Sequence, residues 1–124
     1  MNENWKLKIL QGYKFPIHII PHYNGAVPKY PLLKDADLSG KKVLLRAGFD
    51  VPIEDGKVVD VTRIEAMVPT MKYILDAGAA LIIMAHQARP EGKVVPEMSQ
   101  GPLVPELKKL LGVEVQFAAP CVGE

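Results

Sequence analysis

The run Ala80 to Ala85, ALIIMA, constrains the fold more than any other stretch of the chain, because it is apolar at every position. A strand of this kind presents apolar side chains on both faces, so it belongs inside a sheet covered on both sides, as in parallel α/β folds. It ends abruptly in His86, Gln87, Arg89 and Pro90. A buried strand that gives way to nitrogen donors raises the question of whether something anionic sits at its end.

The flanking pattern extends the argument. Val43-Leu44-Leu45 reads as a short buried strand ending at Arg46, followed by a turn-rich loop through Pro52 and Asp55-Gly56. Thr62-Arg63-Ile64-Glu65 has capping-box spacing, with Thr62 as the cap and Glu65 reaching back. Ile64, Val68, Met71 and Leu75 recur at helical spacing, Pro69 predicts a local bend, and Gly78 ends the helix. After the strand at Ala80 to Ala85 comes a loop with three prolines, then a helix over Leu103 to Leu111 stopped by Gly112, then a strand over Val113 to Phe117. The order β-α-β-α-β predicts an α/β fold, a Rossmann-like three-layer parallel sheet that is incomplete. Right-handed crossovers wound in one direction place both helices on one face. The other face is then bare unless residues 1–37 cover it or further chain follows, and we expect the latter.

Residues 1–37 are compositionally different, with five aromatics, four prolines and no sustained period, and read as a loop-rich N-terminal arm with one short strand near Ile17 to Ile20. His18 and His22 invite a metal reading. Pro21 opposes a helix that would bring them together, and no cysteine or carboxylate nearby completes a site, so surface or packing histidines are expected and no metal. The 124 residues carry a net charge of +1, with 48% hydrophobic and 23% charged residues. That balance gives no basis for nucleic-acid or membrane binding. The lone Cys121 fits a reducing compartment, so a cytoplasmic location is expected.

In open α/β sheets, ligands bind beyond the carboxyl ends of the strands. Two loops leave such ends here: one carries Arg46, Asp50 and Arg63, the other His86, Gln87 and Arg89. Arg63 follows the helix cap, where unpaired backbone N–H groups favour anions. Arg63, His86 and Arg89 are therefore candidates to meet on a phosphate or carboxylate, for which arginine forks are suited. Two solvated loops with ordinary charges account for the same spacing equally well. No GxGxxG or GxxxxGK[ST] motif is present to support a dinucleotide or P-loop site.

Several segments in order resemble one known family. KVLLRAGFDVP (Lys42 to Pro52) is similar to the KVLxRxDxNVP of phosphoglycerate kinases, and DGKVVDVTRI (Asp55 to Ile64) to their DGKIxDDTRI. Met67 to Gly78 resembles the ALPTIKYLLEKGA helix, interior proline included, and IMAHQARPEG the SHxGRPxG segment. Ser99 to Leu107 aligns with SLKPVAEEL, and Pro120 to Glu124 with DCVGE. The resemblance covers Leu38 to Glu124, about 70% of the chain, so the expected division is an arm at 1–37 and a partial N-terminal domain at 38–124.

The resemblance implies a hinged two-domain kinase that transfers a phosphoryl group between 1,3-bisphosphoglycerate with ADP and 3-phosphoglycerate with ATP. The N-terminal domain would hold 3-phosphoglycerate and the other domain Mg-nucleotide, so the Mg-ATP/ADP site is expected to be absent from this chain. By position, His86 and Arg89 would hold the substrate phosphate, and Arg63 would stabilise charge on the transferring group as the catalytic residue. Gly48, Phe49, Asp50, Gln87 and Ala88 complete the implied substrate-binding set, with Arg46 in support. Family members are usually monomeric. The family sheet also has more strands, one of them between the second and third read here, so a missing C-terminal portion is the implied partner.

Departures from the family pattern matter as well. Gly48 stands where the family has Asp, and Asp50 where it has Asn. The first change removes an acceptor; the second exchanges a neutral amide for a carboxylate beside the expected substrate carboxylate. Ala88 replaces a glycine and would crowd a backbone approach if that position has positive φ. The leading expectation is an N-terminal segment of a phosphoglycerate kinase, inactive by itself. The alternatives are a degenerate, non-catalytic relative or anion-binding module, and an interaction module using the aromatics of the arm.

Overall fold

A computed structural model of the chain describes residues 7–11 and 31–119. Its centre is a parallel sheet of β1 (Leu7–Gln11), β2 (Lys42–Arg46), β5 (Ala80–Ala85) and β6 (Val115–Ala118), in the spatial order β2-β5-β1-β6. Two short strands, β3 (Ile53–Glu54) and β4 (Lys57–Val58), form a separate antiparallel hairpin. Its turn residues Asp55 and Gly56 both have positive φ, 48° and 72°, as a two-residue type I′ turn demands. Helix α1 (Thr62–Asp76) links β4 to β5, and α2 (Leu103–Leu111) links β5 to β6.

Each main element follows from its sequence pattern. Leu103, Leu107 and Leu111 lie on one stripe of α2 and are all buried, and Gly112 at φ 70° ends the helix, donating its N–H to the Lys108 carbonyl at 2.9 Å. Helix α1 buries Ile64, Met71 and Ile74 and runs continuously through Pro69. Gly78, at φ 79°, reverses the chain into β5. The apolar residues of both helices join Val43, Leu45, Leu81, Ile83, Ala85, Val115 and Phe117 in one cluster. These strand residues alternate by two, so both described helices pack on the same face of the sheet, as right-handed crossovers require. The other face carries Leu44, Ile82 and Met84, which remain partly or largely exposed. Among the described residues the fold is therefore a parallel α/β sheet with a helical layer on one side, an incomplete form of the three-layer arrangement.

Two expectations need correction, and one lies outside the described residues. The Val43-Leu44-Leu45 strand is not fully buried: among the described residues β2 is an edge strand of this sheet, and Leu44, on the face away from the helices, is 37% exposed. The strand expected near Ile17 to Ile20, with His18 and His22, lies outside the described residues, as does Cys121, and the N-terminal segment contains a strand at Leu7–Gln11 that the sequence pattern did not predict. Finally, Thr62 does not cap α1. It is the first helical residue, Val61 takes the cap position without a side-chain acceptor, and Asp60 Oδ1 accepts the Thr62 N–H at 2.8 Å.

The Thr62 hydroxyl and backbone N–H, helped by the nearby Arg63 charge against a small desolvation cost, hold the Asp60 carboxyl below its ordinary value. A depressed folded-state value means that this carboxylate stabilises the fold above the unfolded-state pKa and loses that contribution as pH falls through the folded value. Asp60→Ala is accordingly expected to lower the urea midpoint at pH 7, with the gap to the parent chain closing as pH drops below about 4. A gap that stays constant from neutral pH to pH 2 would assign the loss to something other than the ionised Asp60 carboxylate.

Candidate active site

The loop that leaves β2 keeps the alternation of a strand. Ala47, Phe49 and Val51 are buried, whereas Gly48 and Asp50 between them are exposed. Alternate core anchors thus fix the backbone and turn positions 48 and 50 outward, beyond the carboxyl end of the sheet. The Ala47 N–H donates to the Met84 carbonyl at 2.9 Å and carries the β2–β5 pairing one residue past Arg46. Phe49 is completely buried, so its side chain belongs to the core, and only its backbone is left to serve a ligand.

Two glutamines join this loop to the segments that follow β5. The Val51 N–H donates to Gln87 Oε1 at 3.4 Å, while Gln87 Nε2 donates to the Val51 carbonyl at 2.6 Å. One side-chain amide therefore pairs with both polar groups of a buried backbone unit, as a neighbouring strand would. Gln100, fully buried, donates its Nε2 to Gln87 Oε1 at 3.3 Å and to the Phe49 carbonyl at 3.5 Å. The structure therefore commits the Gln87 amide to holding two loops together. Sequence reading overlooked Gln100 altogether. A signal was present, since the glutamine stands where the aligned segment SLKPVAEEL has leucine.

Asp50 is the junction of the exposed side. Its Oδ1 accepts the Ala88 N–H at 3.1 Å, and its carbonyl accepts from Arg63 Nη1 at 3.1 Å. The loop after β2, the first turn of α1 and the loop after β5 therefore meet at one residue. Arg46, Arg63, His86 and Arg89 are all exposed around this junction, at the last residue of β2, the second residue of α1 and the loop after β5. The sequence-based candidates Gly48, Asp50, Arg63, His86, Ala88 and Arg89 thus share one edge of the sheet, with three separate elements brought together through Asp50. A Cβ built on Gly48 meets nothing within 4 Å, and its φ is not in the left-handed region, so the edge has room for a side chain there.

Ala88 has φ 49°, the positive value at which a methyl group is strained. Ala88→Gly is expected to raise stability by roughly 0.5–1 kcal/mol, because relief of the left-handed strain exceeds the added unfolded-state entropy. An unchanged or lower denaturation midpoint would contradict that balance. Among the described residues no group of three or more His, Cys, Asp or Glu side chains is gathered to hold a metal ion. No helix among the described residues is long and apolar enough to cross a membrane.

Comparison with known proteins places this edge in context. Residues 33–124 match the family described as phosphoglycerate kinase. The chain is 54% identical over 91 residues to the phosphoglycerate kinase of Ruegeria sp. (strain TM1040), an alignment covering 73% of this chain and 23% of that protein. It is 50% identical over 92 residues to the enzyme of Schistosoma mansoni, covering 73% of this chain and 22% of the relative. A solved structure of phosphoglycerate kinase from Coxiella burnetii superposes with a TM-score of 0.59 at 32% identity, covering 62% of this chain and 20% of that one. The chain thus spans about a quarter of the length of the curated relatives it matches. With several elements, their order and the loops at the carboxyl edge all within the matched stretch, the chain belongs to the phosphoglycerate kinase family.

Proposed function

We propose that this chain provides the 3-phosphoglycerate side of a phosphoglycerate kinase site and does not transfer phosphoryl groups by itself. The observation that carries the reading is the Asp50 junction, which links Arg63 at the helix start to the backbone of the His86–Arg89 loop. In this reading His86 and Arg89 hold the substrate phosphate. Arg63 lies towards the carboxylate, where it stabilises charge on the group in transfer. Gly48, Asp50 and Ala88 border the substrate, whereas Phe49 and Gln87 fix the backbone that presents them. On another part of a complete enzyme, Mg-ATP would supply the phosphoryl group, or Mg-ADP would accept it, and the magnesium ion would neutralise charge. A cytoplasmic setting accompanies this reading.

A second reading, a non-catalytic anion-binding relative, is favoured by one feature: a carboxylate at position 50 beside a site intended for an anion. The two readings separate on a double variant. Asp50→Asn keeps an Oδ1 acceptor for the Ala88 N–H while removing the charge, and Gly48→Asp enters open space. Under the phosphoglycerate kinase reading, the pair is expected to strengthen 3-phosphoglycerate binding roughly tenfold in calorimetric titration, because the carboxylate moves from position 50, beside the substrate carboxylate, to position 48, where it restores an acceptor for the substrate hydroxyl. Equal affinity for 3-phosphoglycerate and inorganic phosphate, in parent and variant alike, would favour the anion-binding module and overturn the first reading.

A further inference from the structure

Strand β1 is the feature that the site does not use. It lies outside the stretch matched to the family, yet it occupies an interior position in the sheet. On one side Lys8, Ile9, Leu10 and Gln11 are in register with Ile82, Ile83, Met84 and Ala85 of β5. On the other, Leu7, Lys8, Ile9 and Leu10 are in register with Val115, Gln116, Phe117 and Ala118 of β6. Strands β5 and β6 are not paired with each other, and among the described residues β1 is the sheet neighbour of β6. Removing β1 would leave a strand-wide gap, with unpaired backbone donors and acceptors on both sides. It would also detach β6 from the sheet, leaving its packing against α2 as the remaining described attachment.

We propose that Leu7–Gln11 is a built-in complementing strand: the β5–β6 gap is a docking slot for a parallel extended segment, and this segment of the same chain fills it. The occupant is argued from the paired registers on both edges and from the sequence LKILQ, whose Leu7, Ile9 and Leu10 suit an interior strand. All the pairings are parallel, so the incoming segment must run in the same direction as β5 and β6. The rule is that of strand addition, in which main-chain hydrogen bonds hold the segment. The residues before the family-matched stretch thereby become part of the sheet that carries the candidate site. This inference concerns the sheet alone and stands whether or not 3-phosphoglycerate binds.

The test uses the full 124-residue chain. Hydrogen exchange is expected to protect amides in residues 7–11 to the same degree as those in β6. Ile9→Pro removes a ladder donor from an interior strand and is expected to reduce protection of residues 115–118 by at least about 100-fold. Rapid, unprotected exchange of residues 7–11 beside a protected β6 would overturn the proposal, as would an unchanged β6 in Ile9→Pro. A second variant does not depend on a damaged fold: Lys8→Cys with Gln116→Cys, in a Cys121→Ser background, pairs two positions in register across β1 and β6. Oxidation is expected to give an intramolecular disulfide in a monomer. A disulfide-linked dimer would move the strand to a second copy, and absence of any crosslink would remove it from the slot. Either result contradicts the same-chain assignment.

Discussion

Phe49→Ala is expected to lower unfolding stability by about 3–5 kcal/mol, a large share of the total available to a domain of this size. Phe49 is fully buried in the cluster that unites α1, α2 and the sheet, so truncation forfeits its transfer energy and leaves a cavity. The effect reaches the candidate site by a short route. Phe49 is the central of the three anchors Ala47, Phe49 and Val51, which hold Gly48 and Asp50 outward, and its carbonyl accepts from Gln100. The urea midpoint reports the first effect, and the Ala88 amide resonance, whose N–H meets Asp50 Oδ1, reports the second. A loss below about 1 kcal/mol would mean that the loop is not held by the core in this way.

Gln87→Ala is the second large effect, expected at about 2–3 kcal/mol. Its amide serves both the N–H and the carbonyl of Val51, and its Oε1 also accepts from Gln100. Removing the amide leaves polar groups of a buried backbone unit without their side-chain partner, and that desolvation penalty is the main part of the cost. Gln87→Glu makes a sharper comparison, because it keeps an acceptor for the Val51 N–H but places a second oxygen against the Val51 carbonyl. It is expected to destabilise comparably at pH 7, despite being nearly isosteric. Amide exchange at Val51 together with the unfolding midpoint checks both variants. If Gln87→Ala were within about 0.5 kcal/mol of the parent, as for an ordinary surface change, the glutamine clamp would have no structural role.

The elements most legible in the sequence are those whose pattern is local. Strand β5 and helix α2 have the bounds read from the sequence, because ALIIMA has no polar interruption and Leu103, Leu107 and Leu111 are followed by Gly112. Position within the sheet was harder. Strand β1 has five residues interrupted by Lys8, and the partners that make it a strand, Ile82 to Ala85 and Val115 to Ala118, lie far along the chain. Nothing local distinguishes LKILQ from a loop. The cap of α1 slipped because Thr62 has the right spacing to Glu65, while the carboxylate that meets its N–H sits two residues earlier at Asp60.

At the site, motif order brought Arg63, Asp50, His86 and Arg89 to one edge, but it did not reveal how they are held. Alternating burial over residues 47–51 and the Gln87–Gln100 contact depend on packing between segments distant in sequence. The concern raised about Ala88 does meet its condition, since the residue has positive φ. By contrast, Gly48 turns out to have open space around it, so its difference from the family pattern removes an acceptor without signalling a tight backbone approach.

The most direct test of the account is an NMR titration of the chain with 3-phosphoglycerate, observing the His86 imidazole and the Arg63 and Arg89 side chains, in the parent and in Arg89→Ala. The predicted result is saturable shifts at all three residues in the parent, retained in excess sulfate and lost in Arg89→Ala while the amide spectrum stays folded. Absence of shifts at millimolar ligand, or shifts that persist unchanged in Arg89→Ala, would contradict a phosphoglycerate-binding edge on this chain.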